Sequence, residues 1–441
     1  MKIRGLLIAT VIFCALAGTL YWSEHRKPGA EASAASADAP PAILKLDQAA
    51  ITGLAIKKKD ADSVVLAKVK SDNWQITSPK QLGADQSAVT GVLSSLSSLN
   101  SERVVEDKAS DLKRYGLDQP SLEVDVTQKD KTQKLLVGDD TPAGSAVYTM
   151  LAGDPRVFTM ASYSKNSVDK SLNDLRDKRL VTLKVDKISR LEVIRNNQDI
   201  EFGRNKDEWQ ILKPKPLRAD SFEVGELARK ITDARMELSG AESDNKDAAA
   251  AFARATPVAT AKVTDQSGTQ ELQVRKEKDT YYAKSSVVDG TYKVASDLGQ
   301  ALDKSLDDFR NKKLFDFGFN DPNKIELHSG PKAYFLARGG QDWWSNGKKM
   351  DAESVQSLVS KLRDLAANKF VDSGFATATI EATVSSNDGK RTEKISIAKS
   401  DNNYIAKRES EPALYQLDSA TVDDLLKAAD AVKPAAAPPS K

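Results

Sequence analysis

The sequence predicts an α+β protein: an N-terminal transmembrane helix followed by three tandem units, each an antiparallel sheet plus one amphipathic helix. Three observations predict it. Residues 5–22 carry no charge. Trp74, Trp209 and Trp344 stand 135 positions apart at each step. The ten residues SLNDLRDKRL, beginning at Ser171, return as SLDDFRNKKL at Ser305.

Lys2 and Arg4 precede the uncharged run, and Tyr21 and Trp22 close it where an interfacial aromatic belt would lie. Its length reaches the lower range for crossing a bilayer core. A cleaved signal peptide is the rival reading, because Ala15, Leu16 and Ala17 give a small-x-small pattern. The apolar run continues past Ala17, which favours an uncleaved anchor. Both readings export the body of the chain. The expectation is a single-pass protein of the bacterial inner membrane, with residues 1–4 cytoplasmic and the bulk periplasmic. Residues 23–42, rich in Ala, Ser and Pro, read as a flexible tether, and residues 432–441 as a similar tail.

The repeat places three units at residues 43–184, 185–321 and 322–431, the last truncated. Each opens with an alternating segment, VVLAKV, DIEFGR or AYFLAR, that leads into a polar turn and a tryptophan. Period-two alternation around such a turn reads as a β-hairpin. Asp85, Asp220 and Asp351 then precede helical patterns, as N-cap carboxylates do. Val89, Leu93, Leu96 and Leu99 follow helical spacing, as do Val355, Leu358, Leu362 and Leu365. Further alternating strands follow, and a later hairpin brings together Tyr148 with Phe158, Tyr282 with Tyr292, and Tyr404 with Tyr415. The repeated ten residues are expected as a helix that closes one unit and leads into the next, with Asp174 and Lys178 spaced for an ion pair.

Composition restricts the chemistry. Lys+Arg 65 balances Asp+Glu 63, and the basic runs KKK at Lys57 and KPKPLR at Lys213 have acids nearby, so they read as solvated loops rather than a nucleic-acid patch. One cysteine, Cys14, permits no intrachain disulfide and no cysteine-based metal site. Two histidines, His25 and His328, leave little material for His-based acid–base chemistry. The Asp139–Asp140 pair sits in VGDDTPAG, a composition that suits a tight turn. No catalytic, metal or cofactor-binding residue is therefore expected. Trp74, Trp209, Trp344, Tyr148, Tyr282 and Tyr404 are expected as structural anchors of the repeats. Period-two alternation then points Trp343 outward, as a partner contact. Arg176 and Arg310, at equivalent places in the ten-residue copies, are expected to cap carbonyls or to brace the joints.

DNWQITSP, the Asp-led helix, RYGLDQPSLEVDV, LLVGDDTPAGSAVYTM and DLRDKRL together resemble the family catalogued as domain of unknown function 4340. The resemblance is closest over residues 64–180. It implies an auxiliary envelope role beside ABC-transporter components of the gliding-motility type, and it carries over no catalytic residue. The leading expectation is a membrane-anchored periplasmic interaction module with envelope protein partners. A periplasmic binding protein for a glycan or peptide polymer is the alternative, and a carboxylate-dependent hydrolase the second alternative.

Overall fold

Each alternating segment pairs with its sequence neighbour, and the pairings accumulate into three antiparallel sheets. The computed structural model describes residues 42–436, apart from 70–71, 196–197, 207, 239–242 and 319–321. The chain divides into two compact units between Asp177 and Lys178; the first holds one sheet and the second holds two.

From edge to edge, the first sheet runs Leu82–Gly83, Trp74–Ser78, Val64–Lys68, Ile51–Lys58, Leu122–Gln128, Lys131–Asp140, Ala146–Leu151, Val157–Ala161 and Arg103–Glu106. The third sheet repeats this nine-strand order from Lys348–Lys349 to Lys369–Val371. The second has eight strands in the same order, and a bridge between Glu237 and Lys293 stands where the ninth would pair.

Equivalent hydrogen bonds recur in all three. Ile43, Leu180 and Leu314 donate their N–H groups to Leu99, Ala234 and Leu365, fixing the entry of each unit beside the end of its helix. Asp85, Asp220 and Asp351 donate theirs to Leu175, Phe309 and Lys433, closing each unit at its exit. Hydroxyl pairs Thr127–Thr132, Thr264–Thr269 and Ser385–Thr392 lie 2.8–3.0 Å apart beside the same hairpin turn.

The apolar face of each unit is covered by a long helix, α1 (Gln86–Ser97), α2 (Ser221–Thr232) or α3 (Ala352–Asp364), and, beyond the single helix expected, by a later one, Ser162–Val168, Ser296–Leu302 or Ser419–Asp430. Each of α1, α2 and α3 starts where predicted, because the N-cap aspartate accepts first-turn amides that would otherwise lack partners. α1 buries Val89, Val92, Leu93 and Leu96; α3 buries Val355, Leu358, Val359 and Leu362. The cores they close centre on Ile76 and Leu122, on Phe202 and Ile231, and on Ile395 and Leu425.

Two expectations are corrected. The class is mostly β, with 44% strand and 23% helix, rather than α+β. The hairpins extend beyond the tryptophan strand into two-residue edge strands, and the post-helix segment adds another edge, so strands outnumber those the alternation alone suggests. Among the described residues no helix is long and apolar enough to cross a membrane, and residues 5–22 lie outside them. The ten-residue motif is also not one helix. Ser171 and Asp174 form a capping box over Leu172–Leu175 only, and Ser305 and Asp308 form one over Leu306–Asp308. Beyond each box the backbone extends and bridges Ala84 or Ala219.

Candidate interaction surface

The tryptophans separate into two roles. Trp74 and Trp209 lie in their cores at 6% exposure, and the third core takes Trp343, at 7%. Trp344 is 41% exposed. This reverses the expectation that Trp344 anchors the core while Trp343 faces outward. The cause is one residue of register. The third unit is one position shorter up to this strand, so Trp343, 134 positions after Trp209, occupies the inward site. A one-residue shift along a strand exchanges its faces.

Trp344 therefore stands where Gln75 and Gln210 stand in the sister strands. Its cross-strand neighbours are Ala337 and Lys349. Gly339 lets the indole lie close to the sheet, since a Cβ there would approach Trp344 Nε1 to 3.0 Å. Two positions before Ala337, Phe335 is 43% exposed and faces Glu326 across the ladder. Ala333 and Ala337 flank it on the same face, both exposed. His328, the histidine of the folded body, packs edge-on to Phe335 at 5.3 Å. It is an ordinary strand residue.

The second sheet fills these positions with Glu201 and Gln210. Opposite Glu192, where the third sheet has Phe335, it has Glu201, which is buried and held by Arg190 at 2.7 Å and Lys213 at 2.9 Å. Lys213 also reaches Asp199 and Glu192, and its hydrogen bonds to Glu201 first and Asp199 second hold its ammonium well above the usual lysine range. On the outward face of the second sheet these charges satisfy one another beside the exposed Leu212, whereas that of the third presents the aromatic pair Phe335 and Trp344 to solvent. Beside this aromatic pair, Lys324 is paired with Glu326 at 2.5 Å and Lys349 with Asp342 at 2.9 Å.

A second polar centre lies between the second and third sheets, within residues 178–441. Arg218 ends the edge strand Leu217–Arg218 of the second sheet. Its guanidinium donates to Glu411 Oε1 at 2.8 Å, to Lys313 O at 2.6 Å, to Tyr415 Oη at 2.9 Å and to Asp316. Tyr415 Oη donates to Glu411 at 2.6 Å, and burial pushes its hydroxyl up to about 12. Arg408 pairs with Glu393 at 2.9 Å and with Glu411 at 3.0 Å, and Arg391 reaches Glu393 at 3.4 Å. Three arginines face three carboxylates, and every carboxylate has a cation. The cluster is electrically closed, which suits a joint. The sequence reading missed it, because KPKPLR resembles a solvated basic run, whereas Lys213 and Arg218 are its two structural cations. Arg310 stacks 3.3 Å from the centroid of the Phe370 ring and supports the same joint.

The other predicted residues lie where their strands place them. Tyr148, Tyr282 and Tyr404 are half-buried. They stand one or two positions from register with their aromatic partners: Thr149 faces Phe158, Ala283 faces Tyr292 and Ala406 faces Tyr415. Tyr281 occupies the second core instead of Tyr282. Asp139 and Asp140 end a strand whose turn is closed by hydrogen bonds between Thr141 and Ala146 and between Gly144 and Thr141. Among the described residues no group of three or more His, Cys, Asp or Glu side chains is arranged to hold a metal ion.

The family described as "Domain of unknown function (DUF4340)" matches residues 74–216 and again 209–383, each match beginning at a core tryptophan. No curated protein matches the chain. Among solved structures, the chain has 8% identity to a DNA polymerase sliding clamp from Pseudomonas aeruginosa, over 86% of this chain and 93% of that one. A second structure of that clamp, with ligand, gives the same figures. The TM-score of 0.17 in both cases carries no argument about fold or function.

Proposed function

This chain belongs to the DUF4340 family, a domain of unknown function, and from that premise we propose that it is a protein-interaction module of the bacterial envelope, docking through the outward face of its third sheet. The observation that carries the proposal is the exposure of Phe335 and Trp344 at positions where the second sheet has Glu201 and Gln210. Paired exposed aromatics on a sheet face are costly in water and are typical anchors of protein contacts. The ion pairs Lys324–Glu326 and Lys349–Asp342 beside them favour a partner whose apolar patch has a polar rim of both signs. Export is supported by the uncharged run at residues 5–22 behind Lys2 and Arg4. An auxiliary partnership with an ABC-type transporter, which the family resemblance implies, is one such docking.

Site-specific photo-crosslinking in cells tests this. A crosslinker in place of Trp344 should give a discrete protein adduct that Phe335→Glu abolishes. The same crosslinker in place of Gln210, on the corresponding position of the second sheet, should give none. Identical adducts from both positions, or none from 344, would overturn the proposal.

A further inference from the structure

At one end of the second sheet lies a groove of about 870 Å³. Its walls carry Arg195, Lys276 and Lys278 against one carboxylate, Asp303, with Gln198 and Thr256 as neutral hydrogen-bonding groups. Asp303 is already engaged. Arg195 Nη1 donates to its backbone oxygen at 2.6 Å and lies 3.4 Å from its carboxylate, while Nη2 donates to Gln198 at 3.0 Å. An equivalent clamp joins Lys58 to Asp169 at 2.6 Å in the first unit, and in the third Lys332, at the place of Gln198, takes Asp430 at 2.7 Å. That pair is thus a shared fastening of helix end to sheet. Lys276 and Lys278 are not part of it. Neither makes an ion pair with any described residue, and Lys276 Nζ sits 5.2 Å from the centroid of the Tyr281 ring.

The groove follows from differences between the first and second repeats. In the first unit, Gly138 allows the turn at Tyr115 to press onto the strand: a Cβ at 138 would stand 2.0 Å from Tyr115 O. Gly116 in that turn closes over Asp139, to whose carboxyl a Cβ at 116 would come within 2.5 Å. In the second unit Arg275 stands at the place of Gly138, and the turn is replaced by the end of the helix Ser243–Arg254. The Arg275 guanidinium meets Phe252 O at 3.1 Å and the Phe252 ring at 4.6 Å, which holds this segment off the strand. Lys276, which faces Tyr281 as Asp140 faces Val147 in the first sheet, is exposed, and Lys278 follows two positions on. At the same two places the third sheet alternates Lys399 with Asp401.

We infer that this groove binds an oxyanion group, a phosphate or a pair of carboxylates, held by the ammonium groups of Lys276 and Lys278 and by hydrogen bonds from Thr256 and Gln198. Lysines act there as mobile point charges, and Arg195, locked by Asp303, is a rigid floor. A concave, polar, cationic wall concentrates anions more than a flat surface of equal charge does. The site lies on a different sheet from the Phe335–Trp344 face, so either can fail alone.

Calorimetric titration of the full-length chain with inorganic pyrophosphate, and separately with digalacturonate, tests the inference at low and at physiological salt. Binding of at least one probe should weaken tenfold or more in the Lys276→Glu/Lys278→Glu double variant and remain unchanged in Lys399→Glu. Both changed lysines are exposed, and thermal melting verifies that the fold is kept. Pyrophosphate binding alone assigns a phosphate ligand, and digalacturonate binding alone a carboxylated sugar. No binding of either probe, or equal weakening in Lys399→Glu, overturns the site.

Discussion

Adjacent tryptophans in one strand give the cleanest residue-level test of the register. Trp343 is enclosed by the third core, so Trp343→Ala should remove about 3–5 kcal/mol of stability through lost burial and the cavity left behind. Trp344 is exposed, and Trp344→Ala should stay within about 1 kcal/mol. Urea denaturation of both variants measures this; equal losses would refute the assignment. The sequence shows an indole in every unit but not which of the two neighbours points inward. That depends on the deletion of one residue upstream, and counting from Trp209 with a rigid period of 135 selects the wrong one. Phe335 was equally hidden, because an outward aromatic in an alternating run looks like any other strand residue until its cross-strand partner is known.

At the scale of elements, the starts of the helices were readable because a cap is a local device: one side chain and the three residues after it. Asp220 accepts from the amides of Phe222 at 3.0 Å and Glu223 at 3.2 Å. Asp220→Ala should therefore cost about 1 kcal/mol, whereas Asp220→Asn, which keeps an accepting oxygen, should cost a few tenths. Urea midpoints of the two variants decide it, and equal losses would mean the contribution is charge rather than capping. The ends of elements were harder to read. SLNDLRDKRL has helical composition throughout, yet its helix stops at Leu175, because Arg176 bridges Ala84 and Asp177 donates to Gly83. Those partners lie more than ninety positions upstream, so no local pattern announces them. The edge strands Leu82–Gly83 and Lys348–Lys349 were missed for the same reason: two residues are too few to show a period.

At the scale of the molecule, the repeat itself was visible, and how the second and third copies are fastened together was not. That fastening is Arg218, whose period-135 counterpart in the first unit is Gly83 and whose neighbours in sequence suggest only a solvated loop. Its guanidinium spans a gap of about a hundred to two hundred residues in sequence, joining Asp316, Lys313 O, Glu411 and Tyr415. Removing it leaves two arginines for three carboxylates in a half-buried site, where an uncompensated charge is expensive. Arg218→Met should destabilise residues 178–441 by on the order of 3 kcal/mol. It should also split one calorimetric transition into two, as the second and third sheets, each with its own core, melt apart. Arg218→Lys should restore only part of this, since one ammonium cannot reach two carboxylates, a phenol and a carbonyl that a planar fork serves at once. Should Arg218→Met melt as the parent does, in a single transition at the same temperature, the cohesion of the pair must come from the apolar passage between Phe309 in one core and Leu314 in the next, and the ionic cluster would be an accompaniment to it.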